Sequence, residues 1–125
     1  MDTKNKYKNI NSIKELKYKD FKKKDLIFKN PHNIHNILLF YLPSCKHCTN
    51  VVETWIEISK RFNNDFNFFA INCDDIKKDN DRLCTEFKVK QYPFIKYQLK
   101  GDKKYKDYKG KIDRDNLFYF ICLYI

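Results

Sequence analysis

The apolar positions of this chain fall into runs and stripes that set out its elements in order. Ile37-Leu38-Leu39-Phe40-Tyr41-Leu42 is an unbroken apolar run. It is short and rich in strand formers, which predicts a strand covered on both faces. Pro43 ends it. Cys48, Val51, Val52, Trp55, Ile58 and Phe62 then recur at three- and four-residue steps, the stripe of an amphipathic helix. Asn63-Asn64-Asp65 stops that helix, and Phe66 to Ile71 reads as a second buried strand. Asp79 to Lys88 predicts a helix with Leu83 and Phe87 on one face. Phe94 to Leu99 alternates in part, and Gly101-Asp102 suits a tight hairpin turn into Lys103 to Tyr108. Asp113 is placed to cap a last helix carrying Leu117, Phe120, Ile121 and Tyr124.

The N-terminal part has a weaker pattern. Residues 1–12 are polar and read as an arm. Ile13 to Leu16 suits a short strand, and Asp20 to Phe28 a short helix with Phe21, Ile27 and Phe28 as contacts and Lys22 to Lys24 on its solvated side. Asn30-Pro31-His32-Asn33 breaks it. The order is β-α-β-α-β, then α, then a β-hairpin, then α. Strand–helix–strand units imply parallel pairing and the late hairpin adds antiparallel strands. The expectation is an α/β fold: one domain over residues 13–125, a mixed sheet with helices on both faces.

The length of 125 residues suits one domain, and 42% hydrophobic with 2 Gly and 3 Pro excludes a collagen, a linker or a disordered chain. No apolar run approaches a membrane span. The opening residues lack an apolar core, so no secretory signal peptide is expected and the cytosol is the expected compartment. The net charge of +10 comes mostly from lysines spread along the whole chain, and Ala occurs once, at Ala70. Such Lys/Asn/Ile-rich, Ala-poor usage fits an AT-rich genome; if that genome is a large DNA virus, the virion or assembly site joins the expectation. Arg forks for base readout are not evident, so no specific nucleic-acid partner is expected.

Cys45, Cys48, Cys73, Cys84 and Cys122 make an odd set, a poor fit to a secreted disulfide scaffold. Cys45-Lys46-His47-Cys48 is a C-x-x-C placed where a buried strand turns into a helix. Free N–H groups at that helix start favour an anion, and the thiolate is the attacking species in disulfide exchange. Cys48 lies one turn on, placed to resolve a mixed disulfide at Cys45. His47 and Lys46 lie between, and cationic or donating neighbours favour thiolate over disulfide, making the pair more oxidising. The competing metal reading joins the two cysteines to His32 and His35 in a structural zinc site; otherwise both histidines are solvated loop residues. Trp55 is expected in the core and Cys122 is a core thiol of the last helix.

Phe40-Tyr41-Leu42-Pro43-Ser44-Cys45-Lys46-His47-Cys48 resembles the active-site segment of the thioredoxin superfamily, and is most similar to the catalytic domains of protein disulfide isomerases, usually F-Y-A-P-W-C-G-H-C. Leu83 to Lys96, with Tyr92-Pro93, resembles the helix leading to a cis-proline that faces the dithiol, and Tyr108-Lys109-Gly110 is a third match. The resemblance implies a thioredoxin fold over about residues 13–124 and a thiol–disulfide oxidoreductase. Cys45 and Cys48 are then catalytic and Pro43, Tyr92 and Pro93 border the substrate, an extended protein or peptide strand. It implies no metal, nucleotide or flavin, the dithiol being the redox group, and a separate redox partner, either a reductase or a sulfhydryl oxidase. Cys73 and Cys84 are either free buried thiols or, as in some isomerase domains, a structural disulfide. Four positions depart from the family pattern: Ser44 stands for Trp, Lys46 for Gly, Leu39 for a buried acid that accepts a proton, and Ile112 for an Arg, with Arg114 nearby. A non-catalytic binding module on the same fold is the alternative function, and a zinc-stabilised interaction domain a further one.

Overall fold

A computed structural model describes residues 7–22, 27–28 and 34–125. Its strands are β1 (Ile13–Glu15), β2 (Phe21–Lys22), β3 (Ile27–Phe28), β4 (His35–Tyr41), β5 (Phe66–Asn72), β6 (Phe94–Gln98) and β7 (Lys106–Asp107). Its α-helices are α1 (Lys46–Phe62), α2 (Asn80–Glu86) and α3 (Arg114–Cys122). Five strands form one sheet in the order β1-β5-β4-β6-β7, and β2 pairs with β3 separately. β4 is the centre, parallel to β5 and antiparallel to β6. This is the mixed α/β sheet that the apolar runs predict.

Alternation along the strands splits the core in two. Ile37, Leu39 and Tyr41 of β4 join Phe66, Phe68 and Ala70 of β5 under α1 and α3, with Trp55, Ile58, Leu117 and Ile121. Leu38 and Phe40 join Phe69 and Ile71 against Leu83, Cys84 and Phe87 around α2. With both faces of β4 covered, residues 36–41 are all buried, which accounts for the unbroken apolar run. Trp55 is fully buried, its indole N–H donates to the Phe69 carbonyl at 3.3 Å, and its ring meets Phe68 edge-on at 5.3 Å.

The structure corrects four expectations about the elements and their packing. The described residues of the expected helix over 20–28 are not helical: a 3-10 turn at Tyr18–Asp20 leads into β2, which pairs with β3, while residues 23–26 lie outside those described. Phe21 is buried edge-on against Phe87 at 5.4 Å, so a single core anchor outweighs the weak helical preference of so short a segment. The strand expected over Lys103 to Tyr108 shrinks to β7, because Tyr105 leaves the ladder to pack edge-on against Phe87 at 5.3 Å. Cys122 is exposed, since the buried positions of α3 are Leu117 and Ile121. The polar arm also stops short of residue 12: Tyr7 is 2% exposed and packs edge-on against Tyr41 at 5.4 Å.

Cys73 and Cys84 are bonded, tying the end of β5 to α2, and both are buried. Of the two alternatives for this pair, the structure takes the bridge. The bond spans a sequence separation of 11, and a loop of that size limits the unfolded chain by about 3 kcal/mol. Cys73→Ala/Cys84→Ala is expected to lower unfolding stability by about that amount, read as a lower urea midpoint. An unchanged midpoint would mean that the bridge adds nothing to folding.

Candidate active site

β4 delivers the site. Pro43 is buried just beyond its C-terminal end, Ser44 is exposed, and Cys45 is the N-cap of α1 with an extended backbone at φ −79°, ψ 122°. Proline ends the strand because it has no N–H to donate to the ladder. The Cys45 N–H donates to the Leu42 carbonyl at 3.1 Å and its carbonyl accepts the Thr49 N–H at 3.1 Å, so backbone bonds on both sides fix the residue. The Cys45 sulfur takes the place of a capping oxygen and accepts the Cys48 N–H at 3.2 Å. A negative charge on that sulfur meets an oriented donor and the positive end of a 17-residue helix.

The second half of the site comes from the loop before β6. The Tyr92–Pro93 peptide is cis, and the Cys45 thiol donates to the Tyr92 carbonyl at 3.8 Å. Tyr92 and Pro93 are half-buried beside the dithiol, some 45 residues away in sequence. Cys45 is half-buried and Cys48 is 4% exposed; both are free thiols. Burial, followed by the hydrogen bond with Cys45, pushes the Cys48 thiol up to about 12. The two sulfurs therefore differ in kind: one is reachable at a helix start, the other a shielded thiol reluctant to ionise. Lys46 and His47 point into solvent from the first turn of α1.

Cys45, Cys48, Tyr92 and Pro93 are thus brought together, with Pro43 packed beneath and Lys46 and His47 at the rim. Cys73 and Cys84 form their own bridge elsewhere. The zinc alternative fails on distance for His35. That residue opens β4, whereas the dithiol lies beyond its other end, roughly 20 Å along a seven-residue strand. His35 is not a solvated loop residue either: its Nδ1 accepts the Lys100 N–H at 2.7 Å, and its ring lies against Phe66 at 5.0 Å. His32 lies outside the described residues.

Two residues not expected at the site pack on its buried side. Tyr7 shares the core cluster of Cys48 and Tyr41. Glu15 of β1 accepts a hydrogen bond from the Tyr41 hydroxyl at 2.5 Å. Burial pushes the Tyr41 phenol well above its ordinary range, and the Glu15 bond pushes it the same way. One signal for Glu15 is present in the sequence: it stands two residues after Ile13 in a strand, on the side that faces the core. Tyr7, in a polar stretch, gives no such signal.

The comparisons with known proteins agree with this architecture. The family model described as thioredoxin matches residues 12–122. DnaJ homolog subfamily C member 10 of Xenopus laevis is 30% identical over 86 residues, 69% of this chain and 10% of that protein. Protein disulfide-isomerase A5 of Mus musculus is 32% identical over 67 residues, 54% of this chain and 13% of that protein. The chain therefore spans only a small part of these relatives. Among solved structures, ERdj5 form I superposes with a TM-score of 0.75 at 19% identity, over 92% of this chain and 15% of that one. Thioredoxin f from spinach chloroplast superposes with a TM-score of 0.68 at 14% identity, over 89% of this chain and 91% of that one. At those identities the superpositions speak for the fold, while the family match runs through both strands and both loops that build the dithiol site. On that match the chain belongs to the thioredoxin family.

Proposed function

We propose that this domain is a thiol–disulfide oxidoreductase whose substrates are disulfides in proteins or peptides. The observation that carries this reading is the Cys45 sulfur, which caps α1, accepts the Cys48 N–H at 3.2 Å and faces the Tyr92 carbonyl at 3.8 Å. A sulfur with an oriented donor behind it and a backbone rim in front is built for attack on an extended chain. The disulfide isomerase activity named for the relative in Mus musculus supports the same chemistry.

The reaction is two exchanges. The Cys45 thiolate attacks one sulfur of the substrate disulfide; a Cys45–substrate bond forms and the other substrate sulfur leaves as a thiolate, taking a proton. Cys48 then attacks Cys45; the Cys45–Cys48 bond forms, the second substrate sulfur leaves and the Cys48 proton is released. The substrate gains two electrons and two protons, which the dithiol loses. Run backwards, the same steps insert a disulfide. Tyr92 and Pro93 border the strand being processed, with Pro43 supporting the dithiol. Lys46 and His47 bias the couple toward the oxidising side. The dithiol carries the electron pair itself, so no metal, nucleotide or flavin enters, and a reductase or a sulfhydryl oxidase resets it.

Two measurements test this. Cys48→Ser, mixed with a peptide disulfide, is expected to accumulate a mixed disulfide at Cys45, visible by mass spectrometry and released by dithiothreitol. Absence of that adduct favours an idle dithiol on a binding module. Equilibration of the wild-type couple against glutathione then gives the direction. A potential near the roughly −180 mV of disulfide isomerases supports an oxidising or isomerising role, and one near the roughly −270 mV of thioredoxin a reducing one.

A further inference from the structure

Three parallel strands end at the edge of the sheet that carries the dithiol. β1, β5 and β4 run in one direction, so the segments leaving their C-terminal ends lie side by side. Cys45 follows β4. The loop after β5 begins next to it: the Cys73 N–H donates to the Tyr41 carbonyl at 2.9 Å, and Asp74 is within electrostatic reach of the Tyr92 phenol at the rim. That loop runs into a 3-10 turn over Ile76–Lys78, while the 3-10 turn over Tyr18–Asp20 follows β1.

A cleft of about 610 Å³ opens between these two turns. Lys17, Lys19 and Lys22 line it from one side, and Lys77, Lys78 and Arg82 from the other. The two sides are fixed by one buried side chain. Asn80, 2% exposed, accepts the Tyr18 N–H at 3.2 Å and donates to the Leu16 carbonyl at 3.2 Å and the Asn72 carbonyl at 3.1 Å. The Tyr18 hydroxyl also donates to Glu86 of α2, and the Arg82 guanidinium lies over the Tyr18 ring at 5.1 Å. The interior thus holds two cationic segments facing each other. Lys96, Lys106 and Arg114, elsewhere in the domain, each meet a carboxylate. Among the described residues none of the six cleft cations does, and Asp79 is the one carboxylate in the lining. Cations held so repel one another, and an anion between them relieves the repulsion.

The arrangement of the charges selects the kind of anion. Five of the six are lysines, compact point charges on flexible stems. They stand on both sides of a cleft and do not form the planar fork that grips a phosphate. Tyr18 and Phe21, the aromatic residues of the lining, are buried, so no ring face is offered for a nucleic-acid base to stack on. An extended chain with carboxylates spaced along it fits what is left.

We propose that this cleft docks acidic segments of the protein substrates, a few residues along the chain from the disulfide that Cys45 attacks. This rests on the oxidoreductase reading above. Only β5 separates β1 from β4, so their ends lie roughly 10 Å apart at the usual strand spacing, a gap that about three or four residues of extended chain span. A substrate then meets the domain twice, with its disulfide at the Tyr92–Pro93 rim and its Asp or Glu side chains among the lysines. The cleft speeds productive encounter and holds the substrate; it takes no part in the exchange of sulfur bonds.

The test compares two peptide disulfides of equal length, one flanked by glutamates and one by glutamines, reduced by the reduced protein at low salt. The second-order rate constant of the wild type is expected to be roughly tenfold higher for the acidic peptide, and the preference to fade at about 0.5 M salt. It should lie in the half-saturating peptide concentration and not in the limiting rate. Lys19→Gln/Lys22→Gln/Lys77→Gln/Lys78→Gln, all at exposed positions, is expected to lose the preference while keeping the wild-type rate on the neutral peptide and the urea midpoint. Lys100→Gln/Lys104→Gln/Lys109→Gln/Lys111→Gln removes the same charge from exposed positions elsewhere and should keep most of the preference. Equal losses in the two variants would assign the effect to net charge and overturn the cleft. Fluorescence anisotropy of a cysteine-free glutamate-rich peptide reads docking without chemistry, and binding should weaken several-fold in the first variant alone. Tighter binding of a single-stranded oligonucleotide of equal charge through the same lysines would overturn an acidic peptide as the occupant. Reduction of both peptides at one rate overturns the cleft and leaves the oxidoreductase reading standing. Reduction of neither overturns that reading, and with it the role of the cleft toward substrates.

Discussion

Cys45→Ser is expected to abolish disulfide exchange while leaving the fold intact. A serine hydroxyl does not ionise at neutral pH and cannot form the mixed disulfide, so turnover should fall by roughly a thousandfold, about 4 kcal/mol in barrier. The structural side of this substitution runs the other way. Cys45 is the N-cap of α1 and its sulfur accepts the Cys48 N–H. Serine is among the preferred N-cap residues, because its oxygen makes the same bond at shorter range. The urea midpoint of Cys45→Ser should therefore equal or exceed that of the wild type. Insulin reduction and equilibrium unfolding, run on one preparation, separate the two effects. A variant that loses activity together with stability would show that the sulfur is chiefly structural.

The largest effect on stability is expected at Trp55. The side chain is fully buried between α1 and β5, with one hydrogen bond from its indole and an edge-on contact with Phe68. Trp55→Ala removes the largest single volume from the core on that face, and such changes cost about 3–5 kcal/mol. Against the roughly 5–15 kcal/mol that holds a domain together, this is a large share. The midpoint of thermal unfolding should drop by roughly 10–20 °C. Trp55→Phe, which keeps most of the ring volume and loses the N–H, should fall between the two. A drop of only a degree or two in Trp55→Ala would mean that the cavity collapses.

How much of this was legible in the sequence depends on which physical signal each residue obeys. The run Ile37 to Leu42 and the stripe Cys48 to Phe62 are long, periodic and uninterrupted, so β4 and α1 follow from burial alone. Their junction, with Pro43 ending the strand, puts Cys45 at a helix start by the same logic. Pro93 was within reach only through the resemblance, because no local pattern says that a loop 45 residues on folds back to the dithiol. Phe21 shows the opposite case. Nothing near it outweighs a helix, and the contact that decides the segment is Phe87, 66 residues away. Tyr7 and Glu15 share that difficulty, since the residue both of them meet, Tyr41, is distant in sequence from each. Cys122 fails for a simpler reason: the end of α3 is apolar all round, so its sequence does not say which side faces the sheet.

The Cys73–Cys84 bridge has a consequence for a protein of this chemistry. The reaction proposed for it opens disulfides, and with that reaction a second copy of the chain would bring a reactive sulfur to every encounter. A thiolate reaches a disulfide only along the line of the S–S bond, and here both cysteines are shielded, Cys73 after β5 at 5% and Cys84 on the buried side of α2 at 2% exposed. The protection is thus steric, a property of access and not of bond strength. It lasts as long as α2 stays docked. Folding order then matters: the bridge has to close and be covered before the dithiol becomes active, or the domain becomes a substrate for its neighbours.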